Sequence, residues 1–305
     1  MSKFETEEGK LMVSNAEGKI SPNTEIGSVT LRVSDLERAR SFYEKVLGCE
    51  VLEETEGSLA LGVKPDRVFL NLEDSPGASR PSGATTGLYH FAILVPDRRA
   101  LAVVLERLVR KENALQGAAD HYVSEAVYLA DPEGNGIEVY ADRPRSEWHT
   151  ADGQLRMGTA SLDVDSLLAA IDDDRPRESR LPEGTRIGHI HLRVADLEDG
   201  IRFYRDVIGF DLRMRSGPSA GFLSAGGYHH HIGINTWAGI GAPPPPEGSS
   251  GLQHFVIQVA DDSDVERIAK RARLAKLEFE RQDEMLVIRD PSENRIVITA
   301  GEHIS

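Results

Sequence analysis

The chain has 305 residues, enough for two ordinary domains, and its 35 Lys and Arg against 50 Asp and Glu give a formal charge of −15. That balance disfavours general binding to nucleic acid or to an anionic membrane surface. A single cysteine, Cys49, excludes an intramolecular disulfide and a cysteine-built metal site, and no apolar run is long enough to span a membrane, so a cytoplasmic protein acting on small molecules is expected.

Residues 1–25 are polar and read as a flexible N-terminal tail. From Ile26 the chain begins to repeat itself. Ile26–Val51 and Ile187–Leu212 agree at 12 of 26 positions without a gap, and Gly87–Asp97 and Gly251–Asp261 agree at 7 of 11. Four related units follow, over 26–75, 87–142, 187–237 and 251–302. Each opens on a β-rich run (VTLRV, HFAILV, IHLRV, HFVIQV) that leads to an aspartate: Asp35, Asp97, Asp196 or Asp261. An aspartate there predicts a helix N-cap, because its carboxylate accepts the orphan amide hydrogens of the first turn. A segment of helical period comes next, stopped in two units by Gly48 and Gly209. Short β-like runs close each unit, among them GIEVYAD and HHIGINTW. The predicted module is therefore βαβββ, and the fold class α+β. Residues 76–86 form a small-residue linker. Residues 143–186 form a longer one holding Trp148 and a short helical piece, and Pro243–Pro246 read as a stiff spacer.

One position recurs with chemistry attached. Seven residues before each capping aspartate stand Ser28, His90, His189 and His254. On the last strand, seven residues after the aspartate of a DP pair, stand Glu138 in the second unit and Val297 in the fourth. Two histidines and one carboxylate suit divalent iron, manganese or zinc and leave positions open for other ligands. His90, His189 and Glu138 are the candidate ligands. His254 reads as structural, since its unit carries Val297 in place of the carboxylate.

These paired modules resemble the vicinal oxygen chelate superfamily, which includes glyoxalase I, bleomycin-resistance proteins and extradiol ring-cleaving dioxygenases. The resemblance spans all four units and implies two curved half-barrel sheets built from paired modules. The second unit is similar in detail to the extradiol signature, through His121, Val127, Tyr128, Asp131, Pro132, Gly134 and Glu138. Ala119 is the one departure. The resemblance implies that Glu138 binds metal and that His121 and Tyr128 hydrogen-bond the substrate. It also implies an acid–base histidine on the last strand of the third unit, three residues before a small residue. Gly233 as that residue selects His230, whereas strand alternation puts His229 and His231 on the face of Gly233. Gly233 stands where glyoxalase-type members carry a further carboxylate ligand, which favours a three-ligand site.

The usual pairing of first with second and third with fourth modules completes no triad. Pairing the second with the third collects His90, Glu138 and His189, with His121, Tyr128 and His230 around them; pairing between chains satisfies the same residues. The expectation is an enzyme like catechol 2,3-dioxygenase, a homo-oligomer using Fe(II), or Mn(II), with a catechol and O2 as substrates. A glyoxalase-like isomerase or thiol transferase, and a non-catalytic small-molecule-binding resistance protein, are the alternatives.

Overall fold

The computed structural model describes residues 18–65, 67–81, 84–171 and 179–301. The first module runs β1 (Glu25–Val33), α1 (Leu36–Phe42), β2 (Glu50–Thr55), β3 (Ser58–Val63) and β4 (Arg67–Asp74). The second runs β5 (Gly87–Leu94), α2 (Arg98–Arg110), β6 (Leu115–Asp120), β7 (Ser124–Ala130) and β8 (Gly136–Asp142). A short strand β9 (Ala160–Ser161) and helix α3 (Val164–Leu168) occupy the connector. The third module is β10 (Arg186–Arg193), α4 (Leu197–Arg202), β11 (Asp211–Ser216), β12 (Ala220–Ser224) and β13 (Ile232–Asn235). The fourth is β14 (Gly251–Val259), α5 (Asp262–Leu274), β15 (Phe279–Gln282), β16 (Met285–Arg289) and β17 (Arg295–Ala300). Helices α1 and α4 each run on into a π-helical turn, Tyr43–Leu47 and Phe203–Ile208.

The helix ends follow the local sequence. Asp35, Asp97, Asp196 and Asp261 accept from the amides of Arg38, Ala100, Asp199 and Asp264. Gly48 and Gly209 take the left-handed conformation at φ 85° and 104° and stop the π turns.

Strands assemble into two mixed sheets. One has the order β15-β16-β17-β14-β1-β4-β3-β2 and the other β11-β12-β13-β10-β5-β8-β7-β6-β9. Within each module the first strand runs parallel to the last. Between modules, β5 pairs antiparallel with β10, and β1 with β14. The first and fourth modules thus share one sheet, and the second and third share the other.

Side chains bind the modules the other way, between neighbours in sequence. Tyr43 donates to Asp131 at 2.8 Å, and Tyr204 to Asp290 at 3.0 Å. Arg107 on α2 donates to the Leu47 carbonyl, and Arg271 on α5 donates to the Val207 and Ile208 carbonyls at 2.7 Å each. These buried guanidinium groups satisfy carbonyls that a helix end leaves without partners. The main core lies between sheets and helices, with Tyr43, Phe69, Phe91, Phe203, Tyr204 and Phe255 fully enclosed.

Two expectations need correction. Residues 1–17 of the predicted tail lie outside the described residues, but 18–25 are not loose. Ile20 is buried, its amide donates to the Gly209 carbonyl at 3.0 Å, and Glu25 already belongs to β1. The histidine run also precedes the last strand of its module rather than lying on it, because Gly226 and Gly227 turn the chain at positive φ and β13 begins only at Ile232.

Candidate metal centre

The centre is built on three strands that lie side by side. His90 comes from β5, His189 from β10 and Glu138 from β8. In register, Ala92 faces both His189 and Glu138, so all three side chains leave adjacent strands close together. Glu138 Oε2 lies 3.1 Å from His90 Nε2 and 3.2 Å from His189 Nε2. The three candidate ligand atoms lie within 4.8 Å of one another, and all three residues are buried.

The protonation states suit ligation. Burial alone pushes the Glu138 carboxyl up, but His189 and His90 outweigh it and hold the group well below its ordinary range. Burial brings His189 down to about 4 against the opposing pull of Glu138. At neutral pH the cluster is therefore a carboxylate with a neutral imidazole beside it. A buried negative charge needs compensation. The His90 Nε2 atom is also buried and makes no hydrogen bond, despite its short distance to Glu138. A divalent cation fits both observations.

The equivalent of Glu138 in the third module is Gly233, since Ala92 pairs with Glu138 as His191 pairs with Gly233. A Cβ on Gly233 would stand 2.9 Å from the His191 ring, so that ring occupies the space of a side chain there. His191 is held by Asn235 at 3.0 Å, and its ring centroid lies 5.0 Å from that of His90. In the sequence His191 carries no signal beyond alternation, standing two residues after His189 on the same strand face.

On the β7 side, Tyr128 approaches His90 with ring centroids 5.8 Å apart. Its hydroxyl donates to His121 Nε2 at 2.6 Å, while His121 Nδ1 donates to the Gly158 carbonyl at 2.7 Å. Both His121 nitrogens are thus engaged, and Tyr128 stands between His121 and the centre. Burial, and next the charge of Glu138, raise the Tyr128 pKa, so the phenol keeps its proton.

The three consecutive histidines have different surroundings. His230 packs against His189, with ring centroids 4.1 Å apart and the ring planes tilted at 45°. His229 is fully buried and bonded through Nε2 to Asp142 at 3.0 Å. His231 turns away, its Nδ1 accepting from the Ala225 amide at 3.2 Å. Burial lowers His230 well below its usual value, with His189 adding to the effect, and brings His231 to about 3. The structure therefore gathers His90, His189, Glu138, Tyr128 and His230, with His121 one bond behind Tyr128. His254 lies in the other sheet, 3.2 Å from the Thr30 hydroxyl.

Comparison with known proteins matches this geometry to a family. The profile of the Glyoxalase/Bleomycin resistance protein/Dioxygenase superfamily matches residues 25–139 and 186–298. The chain is 45% identical to a catechol-2,3-dioxygenase of Bacillus subtilis over 275 residues, which cover 89% of this chain and 95% of that one. It is 26% identical to an iron-dependent extradiol dioxygenase of Rhodococcus jostii, over 82% of this chain and 77% of the other. Glyoxalase I of Zea mays superimposes with a TM-score of 0.57 at 17% identity, covering 91% of this chain and 92% of the other, and shares the fold.

Proposed function

Because the chain belongs to the Glyoxalase/Bleomycin resistance protein/Dioxygenase superfamily, we propose that it is an extradiol dioxygenase that opens catechol-type rings with a non-haem divalent metal and O2. The observation that carries this reading is the buried Glu138 carboxylate with His90 and His189 at 3.1 and 3.2 Å. These three residues would hold Fe(II), the metal of the iron-dependent relative, or Mn(II). Bound there, the metal would let electron density pass from a chelated catechol to dioxygen.

The chain's own groups supply proton control. His230, packed against His189 and kept neutral by burial, is the base that takes a catechol proton and returns it as the ring opens. Tyr128 stays protonated and offers its oxygen to a catechol hydroxyl. His121 acts through Tyr128 by holding that phenol at 2.6 Å. Gly233 offers no ligand and His191 fills its place, which supports a three-ligand ring-cleaving centre over a four-ligand isomerase. The buried Cys49 accords with a cytoplasmic enzyme, and assembly as a homo-oligomer is open to gel filtration.

The test is anaerobic loading with Fe(II), then oxygen uptake and absorbance scans with catechol, 3-methylcatechol and 2,3-dihydroxybiphenyl. A yellow ring-opened product with matching oxygen uptake is expected. Metal binding without oxygen uptake on any catechol would overturn the assignment.

A further inference from the structure

Asp142 lies four residues beyond Glu138 on β8, so by strand alternation the two share a face with Tyr140. Its Oδ1 is 3.0 Å from His229 Nε2 and 3.3 Å from the Tyr228 hydroxyl. Tyr228 in turn meets the Tyr140 hydroxyl at 2.7 Å, an approach that needs Gly188, where a Cβ would collide with the Tyr140 oxygen. His229 Nδ1 then lies 2.8 Å from His230 Nδ1. A continuous line of bonds therefore joins a carboxylate at the strand end to the histidine beside His189.

We propose that Asp142 and His229 are positioning residues that fix the tautomer of His230. The reading rests on the ring-cleaving function argued above. A carboxylate carries no proton, so His229 donates to it through Nε2–H. A neutral imidazole has one N–H, which leaves His229 Nδ1 as an acceptor. The proton in the 2.8 Å contact then belongs to His230 Nδ1. His230 Nε2 is left bare, as the nitrogen able to receive a substrate proton. The same logic governs carboxylate–histidine pairs in which the carboxylate sets the tautomer of a catalytic base.

The surroundings hold His229 in the one orientation this needs. It is fully buried, with the Tyr228 ring at 4.0 Å and the Trp148 ring at 5.1 Å between centroids. Trp148 is itself anchored by its indole N–H to the Arg143 carbonyl at 2.8 Å. On its outer side Asp142 lines a cavity of about 420 Å³ together with Arg145 and Arg186.

The test reads the tautomer directly, by imidazole ¹⁵N NMR of the metal-free full chain. The wild type should show His230 with its proton on Nδ1 and His229 with its proton on Nε2. In Asp142→Asn the amide can donate to His229 Nε2, which reverses the line and moves the His230 proton to Nε2. The Fe(II)-loaded variant should keep its metal content and its anaerobic catechol affinity within about twofold while kcat falls about 100-fold. His229→Gln, whose carbonyl can still accept from His230 Nδ1, should retain more turnover than His229→Leu. A wild-type His230 proton on Nε2, or an Asp142→Asn protein with unchanged tautomer, would overturn the proposal. So would unchanged kcat in a folded Asp142→Asn enzyme. Failure of the wild type to cleave any catechol would instead strike the proposed function, and the NMR result would still decide the tautomer.

Discussion

The two sheets are built on one plan and differ in what they can hold. In one, the central antiparallel pair β5–β10 carries His90 and His189, with Glu138 on the neighbouring strand. In the other, β14–β1 carries His254 and Ser28 at the corresponding places, and Val297 stands for Glu138. Even the register shifts recur, near Gly188 and His191 in the first and near Gly27 and Thr30 in the second. The scaffold is thus indifferent to the metal. A few side chains decide which half is a site, and the plain half closes its remaining histidine against Thr30 at 3.2 Å.

The strongest way to break this contrast is to remove the ligands one at a time. Glu138→Gln, His90→Ala and His189→Ala should each abolish ring cleavage and lower metal affinity by more than about 100-fold, the upper range for groups that only orient ligands. His254→Ala, the matching change in the other sheet, should leave metal content unaltered. Metal analysis after dialysis compares the four. Loss of metal in His254→Ala but not in His90→Ala would invert the assignment of the two halves.

A second change sharpens the contrast inside the half that carries the triad. His230→Gln should bind metal and catechol but turn over roughly 10²–10⁴-fold more slowly, the usual worth of a positioned acid–base group. His231→Gln should not, because His231 faces Ala225 and the Phe210 ring rather than His189. Single-turnover absorbance at saturating catechol separates the two. If His231→Gln carries the loss, the roles of the neighbours are exchanged.

Much of this molecule was legible in the sequence because much of it is local. The capping aspartates act within three residues, and the stop glycines act at their own φ angles. His90, His189 and Glu138 stand out in the sequence because the repeat marks their places, and the structure brings their side chains together. Which strands become neighbours is not local: only the complementary ligands of the second and third units point to their pairing, and no strand pattern does. The histidine run shows the limit. It reads as part of the last strand, whereas Gly226 and Gly227 turn the chain and leave His229 and His230 in contact with each other while His231 faces Ala225. The His191 ring over Gly233 and the bond from Asp142 to His229 are contacts between distant segments. Their only trace in sequence is alternation, two residues after His189 and four after Glu138.

Acid should also tell the halves apart. Burial brings His231 from 6.5 to about 3, so below pH 6.5 the unfolded chain takes up a proton there that the folded chain refuses. Stability from this group is present above pH 6.5 and is lost as pH falls toward about 3, at about 1.4 kcal/mol per pH unit. Between pH 7 and pH 5 His231 alone should cost about 2 kcal/mol. His254, half-buried in the other sheet, is lowered less and contributes less. Urea unfolding of the metal-free protein at both pH values measures the loss. His231→Gln should shrink it and His254→Gln should barely change it; equal effects would remove the asymmetry.

The smallest effect tests whether the plain half can be made a site at all. Ser28→His with Val297→Glu restores the residue types of the triad around His254. Two features of the sheet oppose recovery. His254 is already bonded to Thr30, the counterpart of His191, and Val297 is buried at 8% exposure, where a new carboxylate gives up its hydration. The double variant should therefore bind a second metal only weakly, and it should lose stability by a few kcal/mol when metal-free. Adding Thr30→Ala releases His254 and should raise the second stoichiometry toward one per chain at high Zn(II), read by equilibrium dialysis. Tight binding in the double variant without that release would show that the Thr30 bond does not guard the half-site, and that ligand identity alone separates the two sheets.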